Sequence, residues 1–599
     1  MRRCIKNIIS GLKFQIRYTY YSLKKWPFII LLYLLCIGLP GMLEPVEVYF
    51  QKEIVAGVTR YVGMGEMTAT LLLFLLVTVL LSFQSYASPI AQNIVGLKVA
   101  SWIEGKIYRN VHHLPLEFLD SADDQVKIDR AKQSIVHISS GPVFLMYSLS
   151  YLVSLLIPTI QLMQYPILLV AYYVSGLIAA VVDVRQKQKA EELRKSIEVD
   201  KRALRYFSSL LGSKDVMIES RVHGYGEHFY RKWENLTQTF FEKQIRLKKQ
   251  QVRESLGVSV LQQLIGIVPI GILYFLIVDR TVDVATYTLV TGMGGIITRY
   301  IGYLFNAYSK SAQSGIYIDD MEEVLNFVPP KKQQLVANRN HPIVSMNDVS
   351  FHYVKDKPVL RDIHFEINEN EIVAIVGENG SGKTTLSLLA LGLYKPKAGT
   401  VAVYGHDITG EEFDLRGIIS PVFQDYTRYE FTVRENIGYG DLDAIRDDDR
   451  LEGAMLSGGF KGIYDKRGMT PETFLGKQYE TDGEELSGGE WQRVAISRGI
   501  FGNAGLIVLD EPTASLDPIS EIRLFTHIKN SLHGRAAVIV SHRIGICKLA
   551  DRIVFMKQGR VVESGTHAEL YTMKGEYYRF FMEQSKWYDW SDTDEKGEA

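Results

Sequence analysis

Residues 377–384 read Gly-Glu-Asn-Gly-Ser-Gly-Lys-Thr, which spaces them as Gly-x4-Gly-Lys-Thr. That pattern makes a loop that cradles a polyphosphate. Gly377, Gly380 and Gly382 let the backbone approach closely, Lys383 can reach the β- and γ-phosphates, and the Thr384 hydroxyl can ligate Mg2+. Glu378, Asn379, Ser381 and Thr385 complete the turn and the start of the helix behind it, whose amides point at the ligand. The chemistry requires a strand before the loop and a helix after it. The apolar run 372–376 supplies the first and residues 386–391 the second.

Two further stretches carry related chemistry. Residues 506–509 are Leu-Ile-Val-Leu, an apolar strand, and they run into Asp510 and Glu511. Asp510 is placed to hold Mg2+ through water, and Glu511 to polarise the water that attacks a γ-phosphate. Leu486-Ser487-Gly488-Gly489-Glu490 precedes a helix running to Arg498, a second helix start suited to an anion. Two such starts serve one nucleotide only if they come together.

With these motifs in hand, the second half of the chain resembles the nucleotide-binding domain of an ABC transporter, whose signature is Leu-Ser-Gly-Gly-Gln. Glu490 stands where that family usually has Gln. The resemblance continues in the family's order. Tyr353 matches the aromatic that stacks on adenine, and Gln424 the glutamine that touches Mg2+ and relays to the membrane domain. Residues 515–517, Ser-Leu-Asp, match the loop between two sites, and His542 the switch histidine of the γ-phosphate. The resemblance implies catalysis by Glu511, His542 and Gln424. It implies ATP held by Tyr353, by the loop from Gly377 to Thr385, and by Ser487, Gly488, Gly489 and Glu490, with Mg2+ on Thr384, Gln424 and Asp510.

These groups need a scaffold, and the sequence lays one out. Short apolar stretches at 343–351, 364–368, 400–404, 418–423, 506–509, 537–540 and 552–556 alternate with helical patterns, as in a mostly parallel sheet covered on both faces. Ahead of them, 327–342 is polar and proline-containing, a linker between a domain at 1–326 and one at 343–585; the acidic stretch 586–599 has no apolar periodicity.

The first domain reads as membrane. Apolar runs at 27–50, 67–88, 140–160, 166–182, 256–278 and 287–308 approach the roughly 20 residues that cross a bilayer. The basic stretch before the first run is too long for a signal peptide, and no segment of peptidase size precedes that run, so no leader-cleaving activity is expected. Residues 183–254 hold seventeen Lys and Arg and 89–139 hold six, against three in the short connections 51–65, 161–165 and 279–284. The excess of positive charge places the long loops and both termini in the cytoplasm. The layout, with residues 114–120 in the first long loop and 214–225 in the second as candidate coupling segments, resembles the exporters of the same family. Glu44 and Glu47 in the first span and Arg299 in the sixth either anchor helices at opposite water interfaces or line a cavity, with Gly292, Gly294 and Gly295 letting the sixth span bend.

A net charge of -1 gives no case for a nucleic-acid partner, and Cys4, Cys36 and Cys547 form no metal-ligand spacing. The sequence therefore predicts a multi-domain membrane protein: an all-α six-helix transmembrane domain followed by an α/β P-loop NTPase domain. The resemblance implies a homodimer in the cell membrane of a bacterium that hydrolyses ATP, with Mg2+, to export a substrate. The Glu490-Trp491-Gln492-Arg493 variant and residues 114–120 are similar to those of exporters of lantibiotic-like peptides. A lipid flippase or multidrug exporter is the alternative, with an ATP-gated channel or sensor behind them.

Overall fold

The computed structural model describes residues 2–60, 64–121, 141–279, 282–354, 356–410, 412–477, 480–512, 518–532 and 534–585, with short pieces between 124 and 135. They form two compact units, one of Met1–His113 and Ala122–Phe327, the other of Leu114–Ser121 and Val328–Ala599.

The first unit is helical. Arg2–Lys25 is followed by Pro27–Thr59, Met64–Val111, the pair Gly141–Ser154 and Leu156–Leu162, then Pro166–Gly212, Lys214–His223, Gly226–Val278 and Val284–Leu325. Pro27 and Pro166 each open a helix, where a fixed φ and a missing N–H are harmless. Pro27–Thr59 and Met67–Val111 are long and apolar enough to cross a membrane; Met146–Leu162, Pro166–Val182 and Gly266–Val278 are shorter apolar stretches. The expected sixth span falls in Val284–Leu325, where Thr, Tyr and Gly residues and Arg299 dilute the apolar character. That helix is instead held by close packing. A Cβ on Gly292 would lie 2.5 Å from Val48, and one on Gly294 would lie 2.3 Å from Tyr172. Small residues there let helices approach as they do in membranes, so these two glycines have a packing role besides any bending, while Gly295 meets nothing within 4 Å.

Among the described residues the second unit contains two large sheets and one two-stranded pair, where the sequence predicted one mostly parallel sheet. The larger, of six strands, runs in the order Arg560–Gly565, Arg552–Lys557, Ile372–Gly377, Ala536–Ser541, Leu506–Asp510, Ile419–Val422. Only its first strand is antiparallel. The strands Val344–Phe351, Leu360–Ile367, Ala398–Val403 and His406–Asp407 form a separate antiparallel sheet. The burial patterns explain the split. Ile372–Gly377 is buried at all six positions, as a central parallel strand must be, whereas Leu360–Ile367 mixes buried and exposed positions as a strand with one wet face does. Within the expected linker, Gln333–Gln334 pairs in parallel with Phe413–Asp414.

Candidate nucleotide site

Four adjacent parallel strands end on one edge of the six-stranded sheet. In register, Ile375 lies opposite Val540, Val540 opposite Asp510, and Val422 opposite Leu509. The chain therefore leaves the sheet side by side at Gly377, at Ser541–His542, at Asp510–Glu511 and at Phe423–Gln424. Ligands of open α/β sheets bind at such carboxyl ends. Topology thus gathers motifs that lie up to 165 residues apart in sequence.

The loop after Gly377 is shaped for an anion. Gly382 has φ 99° and caps the helix Lys383–Ala390; a Cβ there would lie 2.6 Å from Leu360. A Cβ on Gly377 would lie 2.2 Å from the Met556 carbonyl. Glycine is what both positions admit. Lys383 is 5% exposed, and its ammonium donates to the carbonyls of Gly377 and Glu378, each at 3.0 Å. Burial pushes its pKa down, opposed by the carboxylates of Glu511 and Asp510. Ser381 Oγ is buried with no hydrogen-bond partner. A buried hydroxyl left unsatisfied is costly, and a phosphate oxygen at this loop would satisfy it.

Opposite the loop stand the acids. Thr384 Oγ1 donates to Asp510 Oδ1 at 3.3 Å. Burial raises the Asp510 pKa to about 6, partly offset by that hydrogen bond. A hydroxyl beside a carboxylate is the oxygen donor set that a hard divalent cation takes, so the residues fit Mg2+. Among the described residues no group of three or more His, Cys, Asp and Glu is arranged to hold a metal ion by itself. Glu511 sits just past the strand at φ 45°, in the left-handed region, its N–H donating to the Val540 carbonyl at 3.0 Å. A non-glycine residue held there marks a site where position is bought with strain. Gln424 Nε2 donates to Glu511 Oε2 at 3.0 Å. His542 Nδ1 approaches Glu511 Oε1 to 3.3 Å, off the hydrogen-bonding direction, and is buried without a partner. Glu511, Gln424 and His542 therefore form one constellation around a carboxylate that can orient a water.

Tyr353 is 46% exposed, with its hydroxyl 3.2 Å from Thr385 Oγ1 and its ring edge-on to Phe351 and Tyr394. The signature helix Gly488–Phe501 begins with a capping box. Ser487 Oγ accepts from the Glu490 N–H at 3.4 Å, and Glu490 Oε2 accepts from the Ser487 N–H at 2.7 Å. Two residues that the sequence did not single out join it. Arg467 donates to both Glu490 oxygens at 2.7 and 2.8 Å, and the Tyr426 hydroxyl donates to the Gly488 carbonyl at 2.7 Å. The replacement of Gln by Glu was the available signal, since a carboxylate at a helix start facing an anion calls for a cation nearby. Residues 515–517 lie outside the described residues.

The candidate coupling segment in the first long loop belongs to this unit. The helix Leu116–Asp120 follows Pro115. Leu116 packs against the core that contains Phe351 and Tyr394, Asp120 Oδ2 accepts from the Tyr394 hydroxyl, and Glu117 pairs with Lys397 at 3.6 Å. The second candidate is the helix Lys214–His223, capped by Ser213 and closed by Gly224 at φ 73°, in the first unit. In that unit Glu44 Oε2 lies 3.7 Å from the Arg299 guanidinium, so the two cannot anchor opposite interfaces. Glu47 accepts from Thr78 at 3.2 Å.

Residues 360–514 match the family model described as ABC transporter. The subtilin transport ATP-binding protein of Bacillus subtilis is 25% identical over 88% of this chain and 87% of its own length. The chain carries an ABC transporter domain at residues 360–514. The nisin transport ATP-binding protein of Lactococcus lactis subsp. lactis is 31% identical over 47% of this chain and 49% of its own. An ATP-dependent lipid A-core flippase of Alkalilimnicola ehrlichii is 27% identical over 82% and 83%. The structure of a bacterial Atm1-family ABC exporter with ATP bound superposes with a TM-score of 0.72 at 21% identity, covering 94% of this chain and 98% of that one, which establishes the exporter fold. As an exporter of this family the protein couples ATP hydrolysis to outward transport.

Proposed function

We propose that two copies of this chain form a homodimer that binds ATP at two equivalent composite sites and exports a peptide from the cytoplasm. The observation that carries the reading is the completeness of one chain. The phosphate loop, the Asp510–Glu511 strand end, Gln424, His542 and an intact signature helix start are all present, so a second, different chain has nothing to add. In each site Lys383 and the loop from Gly377 to Thr385 hold the phosphates, and Tyr353 offers an open ring to adenine. The start of the partner's signature helix, Ser487 to Glu490, closes over the nucleotide. Thr384, Asp510 and the Gln424 side-chain oxygen would hold Mg2+, which screens the phosphate charge. Glu511 accepts the proton of the attacking water, held in place by Gln424, and His542 donates toward the γ-phosphate.

The relatives named for subtilin and nisin transport support a lantibiotic-like peptide as cargo. The flippase relative supports a membrane lipid instead. The six expected spans of the first unit would cross the cell membrane with both termini inside, and the Leu116–Asp120 contact would carry motion between nucleotide and membrane domains. ATPase activity of the purified chain in liposomes, challenged with modified peptides, lipids and hydrophobic drugs, separates the readings. Stimulation by peptide is expected; stimulation by lipid alone overturns the peptide assignment. A mixture of Lys383→Ala and Ser487→Arg chains should retain more activity than either alone, since the mixed dimer keeps one intact composite site. Full activity from a monodisperse monomer refutes the dimer.

A further inference from the structure

Glu490 places a carboxylate at the third residue of a helix whose start must receive phosphate. As a helix cap the exchange is favourable, because glutamate accepts the Ser487 N–H as glutamine would and adds a negative charge where the helix dipole favours one. For an incoming polyphosphate it is unfavourable, because the same charge stands within one helical turn of the Gly488 and Gly489 amides. The structure resolves the conflict through Arg467. One terminal nitrogen, Nη2, donates to both Glu490 oxygens, and Nη1 donates to the Glu485 carbonyl at 2.9 Å and to Glu484 Oε2 at 3.2 Å. Arg467 ends the short helix Lys461–Lys466, with its own N–H donating to the Ile463 carbonyl. Its side chain is partly buried, as is that of Glu490, so water screens the pair incompletely. The guanidinium thus spans from Glu484 and Glu485, just ahead of Leu486, into the cap itself.

We infer that Arg467 is a positioning residue of the signature that cancels the Glu490 charge, so the helix start keeps a carboxylate cap and still admits an anionic phosphate. The inference rests on the composite-site reading, in which this helix start meets the partner's ATP. It makes the two residues interdependent: each is tolerable because of the other. Removing Arg467 alone leaves an uncompensated negative charge at the phosphate-receiving end. Removing both charges leaves a neutral amide cap.

The test is a double-mutant cycle on the full chain in liposomes, measuring KM for ATP and kcat. Arg467→Ala should raise KM about tenfold, a modest effect for an unscreened like charge at this range, with a smaller change in kcat. The penalty should shrink as ionic strength rises. Arg467→Ala combined with Glu490→Gln should return KM to within about twofold of the parent, and Arg467→Lys should retain most of the parent affinity. Equal damage from Arg467→Ala with and without Glu490→Gln would make Arg467 a structural brace only and overturn the inference. An unchanged KM in Arg467→Ala overturns it too. If Arg467→Ala fails to fold, the KM of the double variant and of Arg467→Lys decides: both near the parent supports charge cancellation, and a raised KM in both rejects it. Ser487→Arg is the control for the underlying reading. Should that variant hydrolyse ATP normally, the signature does not meet nucleotide and the composite site itself fails, whatever the cycle shows.

Discussion

Asp510→Asn should make the nucleotide-free protein more stable while abolishing its Mg2+-dependent ATPase. Burial, opposed by the hydrogen bond from Thr384, pushes the Asp510 carboxyl from an ordinary 3.8 up to about 6. The folded chain therefore holds this proton more tightly than the unfolded chain does. The resulting penalty on the folded state is absent below pH 3.8, grows between 3.8 and 6, and is complete above 6. Its size is the difference 6 − 3.8 = 2.2 multiplied by 1.36 kcal/mol, about 3 kcal/mol. Asparagine keeps the oxygen that accepts from Thr384 and removes the ionisation. In thermal melts of the detergent-solubilised chain without nucleotide, the nucleotide-domain transition should rise by about 6–12 °C at pH 7.5 and about half as much at pH 5. A rise of equal size at both pH values, or a fall at pH 7.5, refutes the electrostatic account. The expected trade of stability for activity follows from an acid kept in a dry place for a cation to find.

Glu511→Gln keeps an oxygen to accept from Gln424 but cannot accept a proton, so ATP binding should persist while turnover drops at least about 100-fold; near-normal steady-state hydrolysis would remove Glu511 from the mechanism. Tyr394→Phe deletes the hydroxyl that donates to Asp120, a charge-assisted bond of about 1.5–3 kcal/mol. It should lower cargo moved per ATP hydrolysed in proteoliposomes, and an unchanged ratio counts against the coupling role. Arg299→Gln removes the cation beside the largely buried Glu44, which should destabilise the membrane unit by about 1 kcal/mol, with much of the loss recovered by adding Glu44→Gln. Melting temperatures of the two single variants and the double decide, and simple additivity would mean that the pair is not an interacting unit.

Local order set what the sequence could announce. The phosphate loop, the strand ending in Asp510 and the Ser487 cap are each contained within a dozen residues, and their chemistry depends on spacing along the chain. Fully apolar strands such as 372–376 and 506–509 were likewise legible, because a strand buried on both faces needs no partner to declare it. The direction of pairing was not. Val344–Phe351 and Leu360–Ile367 pair antiparallel in a register that shifts within the strands, with Asp348 and Asp362 inside them at positive φ, and no hydrophobic pattern encodes such irregularities. The edge strand Arg560–Gly565, exposed or half-exposed throughout, escaped for the opposite reason: it buries too little to stand out.

Charge pairing between distant segments was the larger loss, and it is where function was least legible. Glu44 and Arg299 are 255 residues apart, Asp120 and Tyr394 are 274, and Arg467 and Glu490 are 23. A charged residue read alone gives two opposite expectations, a solvated surface group or a buried functional one, and only the partner chooses between them. Glu490 illustrates the point. By sequence it is a conservative departure from glutamine outside the glycines. In the fold it is half of an ion pair at the start of the signature helix, so its consequence for nucleotide binding depends on an arginine in another helix. A departure that changes charge at a phosphate site should therefore be read with the question of which cation answers it, and here Arg467 does.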